Sequence, residues 1–229
     1  MMHAVVFDIG ETLVKYDKPL NWSSLYRPAL EYMVEKEKIT FTEDDYQKAI
    51  AILTTYNTRI NPREQEVSSN DIFLQIIKAT NQNIDHIESF KNLFYSYFRN
   101  DATLFQEVET TLLELNHRGI VIGTLSDVAY GMDNKYALYD IKDIIKYIQY
   151  PFTSNDIGYR KPSAVRLYYI AKQVGADTSQ IMFVGDENKD IICAKNSGAV
   201  AVLLNRSEEN KDYGQDHTIN SLSELLELI

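Results

Sequence analysis

Short apolar runs alternate with longer stretches of helical spacing along most of the chain, and this alternation restricts its fold more than any other feature. HAVVF at 3–7 is a β-branched run, apolar on both faces, as expected of a strand buried on both sides. After Phe105 the alternation continues. QEVETTLLELNHRG reads as a helix stopped by Gly119, IVIGTL as a strand ending at Ser126, and VAYGMDNKYALY as a helix in spite of Gly131. KYIQYPF is a weaker strand, SAVRLYYIAKQVG a helix after Pro162 that closes at Gly175, and QIMFVG a strand ending at Asp186. KDIICAKNSG is a helix ending at Gly198, AVAVLL a strand, and HTINSLSELLELI a short strand with a final helix. Such a sequence of elements predicts an α/β fold, a doubly wound parallel sheet with helices on both faces.

Between the first strand and the rest, the period changes. SLYRPALEYMVEKEK, EDDYQKAIAILTTY, SNDIFLQIIKAT and HIESFKNLFYSYF each carry apolar residues at spacings of three and four. They predict four helices and no strand from about Ser23 to Phe98, with an N-cap for the third within Ser68–Asp71. A chain of 229 residues accommodates one core with such an insertion. No internal repeat is present, and the polar run Ser207–Asp216 is the one biased stretch.

Charge and cysteine content narrow the function classes. The net charge is −10, and no cluster of Lys and Arg offers the basic face that a nucleic acid needs. A small anionic substrate remains compatible, because a local site can override the global field. The single cysteine, Cys193, excludes an internal disulfide framework and a multi-Cys zinc site. It reads as a small buried hydrophobe. No apolar run approaches the roughly 18 residues of a membrane span. MMHAVVFDIG has no basic segment of the signal-peptide kind. The expectation is a soluble cytoplasmic protein, monomer or homodimer, that binds no nucleic acid and no membrane. The four histidines are scattered without ligand spacing and carry no role.

In an open parallel sheet, ligands bind beyond the carboxyl ends of the strands. The first strand delivers Asp8, then Ile9-Gly10-Glu11-Thr12; the second delivers Ser126-Asp127. Gly158-Tyr159-Arg160-Lys161-Pro162 precedes a long helix, and Gly185-Asp186 ends a later strand, with Asp190 four residues on. Three carboxylates, a hydroxyl and a lysine therefore gather at one edge. Like charges held together are costly unless a cation neutralises them, and a few oxygen ligands beside a phosphate suit Mg²⁺.

Four of these elements, in this order, resemble the haloacid dehalogenase-like hydrolase superfamily: FDIGETL at 7–13, the apolar run closing in Ser126, the lysine of GYRKP, and VGDENKD at 184–190. The resemblance spans nearly the whole chain. It implies a Rossmann-like core formed by 1–16 and 102–229, with a four-helix cap formed by 17–101 and hinges near Tyr16–Pro19 and Arg99–Ala102. It also implies that Asp8 is a nucleophile forming an aspartyl-phosphate, and that Asp8, Asp186 and the Gly10 carbonyl hold Mg²⁺. Asp190 would join directly or through water. Ser126 would hold the phosphoryl group, aided by the N–H groups of Asp127 and of the 9–11 loop. Lys161 would neutralise nucleophile and developing charge. Thr124, on the same side of its strand, ranks behind Ser126 as the hydroxyl.

One position departs from the family pattern. Most phosphatases of this kind have a second Asp two residues after the nucleophile, as the acid and base; here Gly10 stands there. The leading reading remains a phosphatase of small phosphorylated metabolites, with Glu11, a cap residue or an organised water in that role, or with a leaving group that needs no proton. The alternative is a metal-independent 2-haloacid dehalogenase type of hydrolase, against which Asp186 and Asp190 count. A Schiff-base phosphonate hydrolase would draw on Lys36, Lys38, Lys48, Lys78 or Lys91, and a non-catalytic metabolite-binding relative is the fourth reading. Trp22, Arg27, Tyr56, Arg59 and Arg63 are the candidate substrate contacts from the helical insert.

Overall fold

The computed structural model describes residues 2–98, 102–207 and 209–229. Its strands and α-helices, in chain order, are β1 (Ala4–Phe7), β2 (Val14–Tyr16), α1 (Tyr26–Glu37), α2 (Glu43–Tyr56), α3 (Ser69–Ala79), α4 (Ile87–Phe98), β3 (Ala102–Leu104), α5 (Val108–His117), β4 (Val121–Ser126), α6 (Asn134–Ala137), β5 (Tyr150–Thr153), α7 (Ser154–Ile157), α8 (Val165–Val174), β6 (Ile181–Gly185), α9 (Asn188–Ser197), β7 (Val200–Leu204) and β8 (His217–Ile219). The main sheet has six strands in the order β5-β4-β1-β6-β7-β8, with every pairing parallel. The α/β fold class is as the sequence predicts.

The sheet buries both faces because its strands carry two apolar sets in alternation. Val5, Phe7, Met182 and Val184 pack to one side with Val108, Leu112 and Leu115 of α5. Ala4, Val6, Ile181 and Phe183 pack to the other with Leu167 and Ile170 of α8 and Ile191 of α9. This is the period of two that a pleated strand imposes.

The four predicted helices of the middle segment are α1 to α4. Thr42 and Asp45 form a reciprocal capping box at the start of α2, and Ser68 accepts from the Asn70 N–H at the start of α3, within the predicted cap. Their apolar faces form a separate core that includes Leu30, Phe73, Phe90 and Phe94. Val128, Tyr130, Met132 and Tyr136, which follow β4, belong to that same cluster. The loop after β4 is therefore packed into the helical segment.

Three features differ from the sequence reading. The stretch 128–139 is not one helix. Tyr130 and Gly131 take left-handed φ values of 52° and 63°, which reverse the chain. A Cβ at Gly131 would stand 2.1 Å from the Val67 carbonyl oxygen, so the close approach of the helical segment requires glycine there. Second, β2 and β3, unread in the sequence, form a two-stranded antiparallel ribbon that pairs Tyr16 with Ala102. At three residues each they are too short to show a period. Third, the final element, Leu222–Glu227, is a 3-10 helix. Of the expected hinge Arg99–Ala102, all but Ala102 lies outside the described residues.

Candidate active site

Register builds the site. Phe7 pairs with Thr124 on one side and with Val184 on the other. The residues just beyond these pairs are Asp8, Leu125-Ser126 and Gly185-Asp186, so the three chain segments deliver their polar groups to one sheet edge. The Asp8 N–H donates to the Val184 carbonyl at 2.9 Å, which extends the ladder by one residue and fixes the start of the loop. Thr124 is fully buried and spends its hydroxyl on the Phe152 carbonyl at 3.2 Å. Ser126, one turn of the pleat further, lines the cavity.

That cavity, about 180 Å³, is lined by Asp8, Gly10, Ser126, Asp127, Lys161 and Asp186 from the strand ends. Tyr16, Trp22, Tyr56, Arg59, Tyr95, Phe98 and Tyr130 complete its wall. Lys161 is the hub. Its Nζ lies 2.9 Å from Asp8 Oδ1 and 2.5 Å from Asp190 Oδ1, with both partners almost wholly buried. Burial opposes the charge on Lys161, but Asp190, Asp8 and Asp127 outweigh it and raise the ammonium pKa. Burial and the charge of Asp8 raise the Asp190 carboxyl in spite of Lys161.

Gly185 makes room for this arrangement, since a Cβ there would fall 2.4 Å from the Asp190 carboxyl. Asp190 also accepts from the Glu187 N–H at 2.9 Å, as part of the capping box that starts α9. Asp186 accepts from the Thr12 hydroxyl at 3.3 Å. Burial, then Asp8, Asp190 and Glu187, push its carboxyl up to about 8.

The donor set fits a divalent cation. Asp8, Asp186 and Asp190 each offer an oxygen within 4.8 Å of the others. Asp8 Oδ1 and Asp190 Oδ1 are buried and accept no hydrogen bond, and lie within ion-pair distance of one lysine. Two acids on one ammonium, with Asp186 close beside them, leave negative charge uncompensated, which is the condition a hard cation relieves.

Asp127 sits behind the lysine. It accepts from the Lys161 N–H at 3.1 Å and is paired with Arg166, with Arg160 and Lys189 nearby at 3.7 and 3.6 Å. Burial raises its pKa, but Arg166, Lys161, Arg160 and Lys189 together hold it well below the usual carboxylate range. Arg166 is fully buried and also donates to the Ser126 carbonyl at 3.1 Å. Arg160 donates to the Val128 carbonyl at 2.7 Å and pairs with Glu66 of the helical segment. The sequence reading missed Arg160, Arg166, Glu66 and Thr12. Arg160 beside Lys161 and Thr12 in the segment after Asp8 were the available signals; Arg166 and Glu66 stand where nothing in spacing marks them.

The remaining candidates divide. Arg59 reaches the cavity, with Nη2 2.7 Å from Glu187 Oε1. Burial raises the Glu187 carboxyl, yet Lys189 and Arg59 bring it to about 2. Trp22 lines the wall, stacked 3.7 Å from Phe98. Tyr56 also lines it, and its hydroxyl accepts from Gln75 at 2.6 Å. Arg27 does not reach it. Its guanidinium is held by Glu31 at 2.7 Å and Glu43 at 2.8 Å and lies 3.8 Å from the Tyr46 ring. Arg63 is turned to the Tyr56 carbonyl, 2.7 Å away. Glu11 is also corrected. Its φ of 55° directs the carboxylate to the Tyr16 N–H at 3.2 Å, outside the Asp8 cavity. Cys193 is buried, its thiol pushed up to about 12 chiefly by burial.

The family described as haloacid dehalogenase-like hydrolase matches residues 5–204. Glyceraldehyde 3-phosphate phosphatase of Methanocaldococcus jannaschii is 31% identical over 129 residues, which cover 52% of this chain and 53% of that protein. Phosphoglycolate phosphatase of Shigella boydii is 30% identical over 112 residues, covering 48% of this chain and 44% of the relative. The chain thus spans about half the length of the curated relatives it matches. Among solved structures, a 2-haloacid dehalogenase from Pseudomonas syringae pv. tomato has a TM-score of 0.69 at 21% identity, covering 100% of this chain and 98% of that one. A HAD phosphatase from Thermococcus onnurineus has a TM-score of 0.65 at 19% identity, covering 99% and 97%. These structural likenesses speak to the fold. Among the described residues no helix is long and apolar enough to cross a membrane.

Proposed function

We propose, from the premise that this chain belongs to the haloacid dehalogenase-like hydrolase family, that it hydrolyses phosphate monoesters of small metabolites through Asp8, with Mg²⁺ as cofactor. The observation that carries the reading is the trio Asp8, Asp186 and Asp190 gathered at the sheet edge, with Lys161 paired to Asp8 and Asp190. A carboxylate is a weak nucleophile, so both it and the phosphoryl group need their charges offset. Asp8, Asp186 and the Gly10 carbonyl would hold Mg²⁺, joined by Asp190 directly or through water; the ion would supply neutralisation of the acid cluster and polarisation of a phosphoryl oxygen.

The chain's own residues do the rest. One Asp8 oxygen attacks phosphorus and forms the aspartyl-phosphate as the ester P–O bond breaks and the alcohol leaves; water then attacks phosphorus, releasing phosphate and restoring Asp8. The Ser126 hydroxyl and the N–H groups of Asp127 and of the 9–11 loop orient the transferring group. Lys161 offsets the charge that develops there. The segment 17–101 acts as a cap over the strand ends and excludes water, a reading supported by Trp22, Tyr56, Arg59 and Phe98 in the cavity wall. The reading includes a cytoplasmic setting.

Phosphate release from 4-nitrophenyl phosphate and from a panel of sugar, nucleotide and short-acid phosphates tests the reading. Turnover that needs Mg²⁺ and is lost in Asp8→Asn supports it. Full activity in chelator overturns it, and halide release from a short 2-haloacid without metal puts the dehalogenase reading in its place. Asp186 favours the phosphatase, because a metal-free reaction gives that buried, charge-crowded carboxyl no use.

A further inference from the structure

A phosphate ester of an ordinary alcohol expels an alkoxide unless a proton reaches the leaving oxygen, and the attacking water must later lose one. Most acidic groups in the cavity are engaged elsewhere. Asp127 is held by two arginines and the Lys161 loop. Glu187 is paired with Arg59 and Lys189. The Tyr95 hydroxyl donates to the Tyr130 carbonyl at 2.9 Å, and the Tyr130 hydroxyl shares a 2.5 Å hydrogen bond with Tyr26. Position 10, on the loop that follows Asp8, has no side chain, and its space is taken. A Cβ at Gly10 would lie 3.2 Å from Tyr16 Cε2. The Tyr16 hydroxyl donates to Asp140 Oδ2 at 2.8 Å, and both residues line the cavity that holds Asp8.

We propose that Tyr16 and Asp140 are the proton-transfer couple of this site, Tyr16 as the catalytic group that touches the leaving oxygen and the attacking water, Asp140 as the carboxyl that acts through it. The inference rests on the phosphatase reading above. In the first half-reaction the bond from Asp8 to phosphorus forms and the ester P–O bond breaks. The leaving oxygen takes the Tyr16 proton, and Tyr16 takes the proton of the Asp140 carboxylic acid. In the second half, the water oxygen bonds to phosphorus as the Asp8–phosphorus bond breaks. The water proton passes to Tyr16 while the Tyr16 proton passes to the Asp140 carboxylate. The 2.8 Å contact between the Tyr16 hydroxyl and Asp140 Oδ2 is the path along which the proton moves in both halves. The cycle restores Asp140, and Tyr16 passes one proton on as it receives another. It never rests as a phenolate.

The test compares kcat/KM of Mg²⁺-loaded wild type, Tyr16→Phe and Asp140→Asn on two esters. The leaving group of 4-nitrophenyl phosphate needs no proton; that of glycerol 2-phosphate does. In each variant, kcat/KM for glycerol 2-phosphate is expected to fall about 10²–10⁴-fold, and for 4-nitrophenyl phosphate less than about tenfold. The double variant should be no worse than either single one, since the two act as a unit. Asp140→Glu should regain part of the loss. Equal losses on both esters, or no loss, would overturn the couple while leaving the phosphatase reading intact. A wild type inert toward both esters overturns that reading and the couple with it.

Discussion

Lys161 Nζ lies 2.5 Å from Asp190 Oδ1, and the two side chains, at 1% and 0% exposure, are sealed from solvent. The same nitrogen lies 2.9 Å from Asp8. One cation thus holds two buried acids, and the pair serves the fold as well as the chemistry. Removing one member of a buried pair strands the other charge, which typically costs about 3–5 kcal/mol.

Lys161→Met should therefore destabilise the protein at neutral pH by about 3–5 kcal/mol and abolish turnover. The double variant Lys161→Met/Asp190→Asn should regain part of the stability, since Asp8 still lacks its cation, and none of the activity. Urea unfolding monitored by circular dichroism, beside a phosphate-release assay, separates the two effects. Stability unchanged in the single variant would show that the ion pair does not hold the fold.

Asp186 predicts a pH effect with a defined sign. Its folded pKa of about 8 lies above an ordinary value of about 3.9. Between these limits the native state holds more protons than the unfolded chain, so stability falls as pH rises. The penalty is absent below about pH 4 and complete above about pH 8. Metal-free Asp186→Asn should accordingly melt higher than metal-free wild type at pH 8. The difference should shrink toward pH 5. Calorimetry in EDTA across this range measures it; parallel pH profiles for the two proteins would contradict the assignment.

The residues Asp8, Ser126, Lys161 and Asp186 were legible in the sequence because each follows an apolar run or a loop signal, and a parallel sheet gathers such ends at one edge. The helices of the middle segment were legible for the same reason, a sustained period. Arg166 was not, because a cation inside an amphipathic helix looks like a solvent-facing residue until the fold turns it inward onto Asp127. Arg27 and Arg63 were indistinguishable from Arg59 in sequence. Their carboxylate and carbonyl partners, brought in by tertiary packing, decide which guanidinium reaches the cavity. Tyr16 lay within an expected hinge, and no local pattern reveals that its ring fills the space beside Gly10.

Arg59 predicts substrate preference. Its guanidinium stands in the cavity wall beside Glu187, 39% exposed, where a second anionic group on a substrate can compete for it. Arg59→Ala should raise KM for phosphorylated carboxylic acids about 5–20-fold with kcat nearly unchanged, the mark of lost uniform binding. KM for 4-nitrophenyl phosphate should change less than about twofold. Equal changes in KM for both classes would remove Arg59 from substrate recognition.

Glu66 ties the helical segment to the loop that carries Lys161. Its carboxylate, 2% exposed, pairs with Arg160 and accepts from the Ser154 hydroxyl at 2.5 Å. The backbone adds three links: Gln65 bridges Tyr159 in antiparallel fashion, the Glu66 N–H donates to the Gly158 carbonyl at 2.9 Å, and the Arg160 N–H donates to the Glu64 carbonyl at 2.6 Å. Glu66→Ala leaves Arg160 charged, buried and without that partner, so it should cost about 3–5 kcal/mol. Glu66→Gln keeps an acceptor for Ser154 and should cost less. Because Arg160 immediately precedes Lys161, the glutamine variant should also lower kcat by about tenfold while KM changes little, since the loop that carries the charge-offsetting lysine loosens. Thermal unfolding of both variants and steady-state kinetics of Glu66→Gln check this. A glutamine variant with wild-type kcat would show that the contact between helical segment and lysine loop holds the fold together without tuning the chemistry.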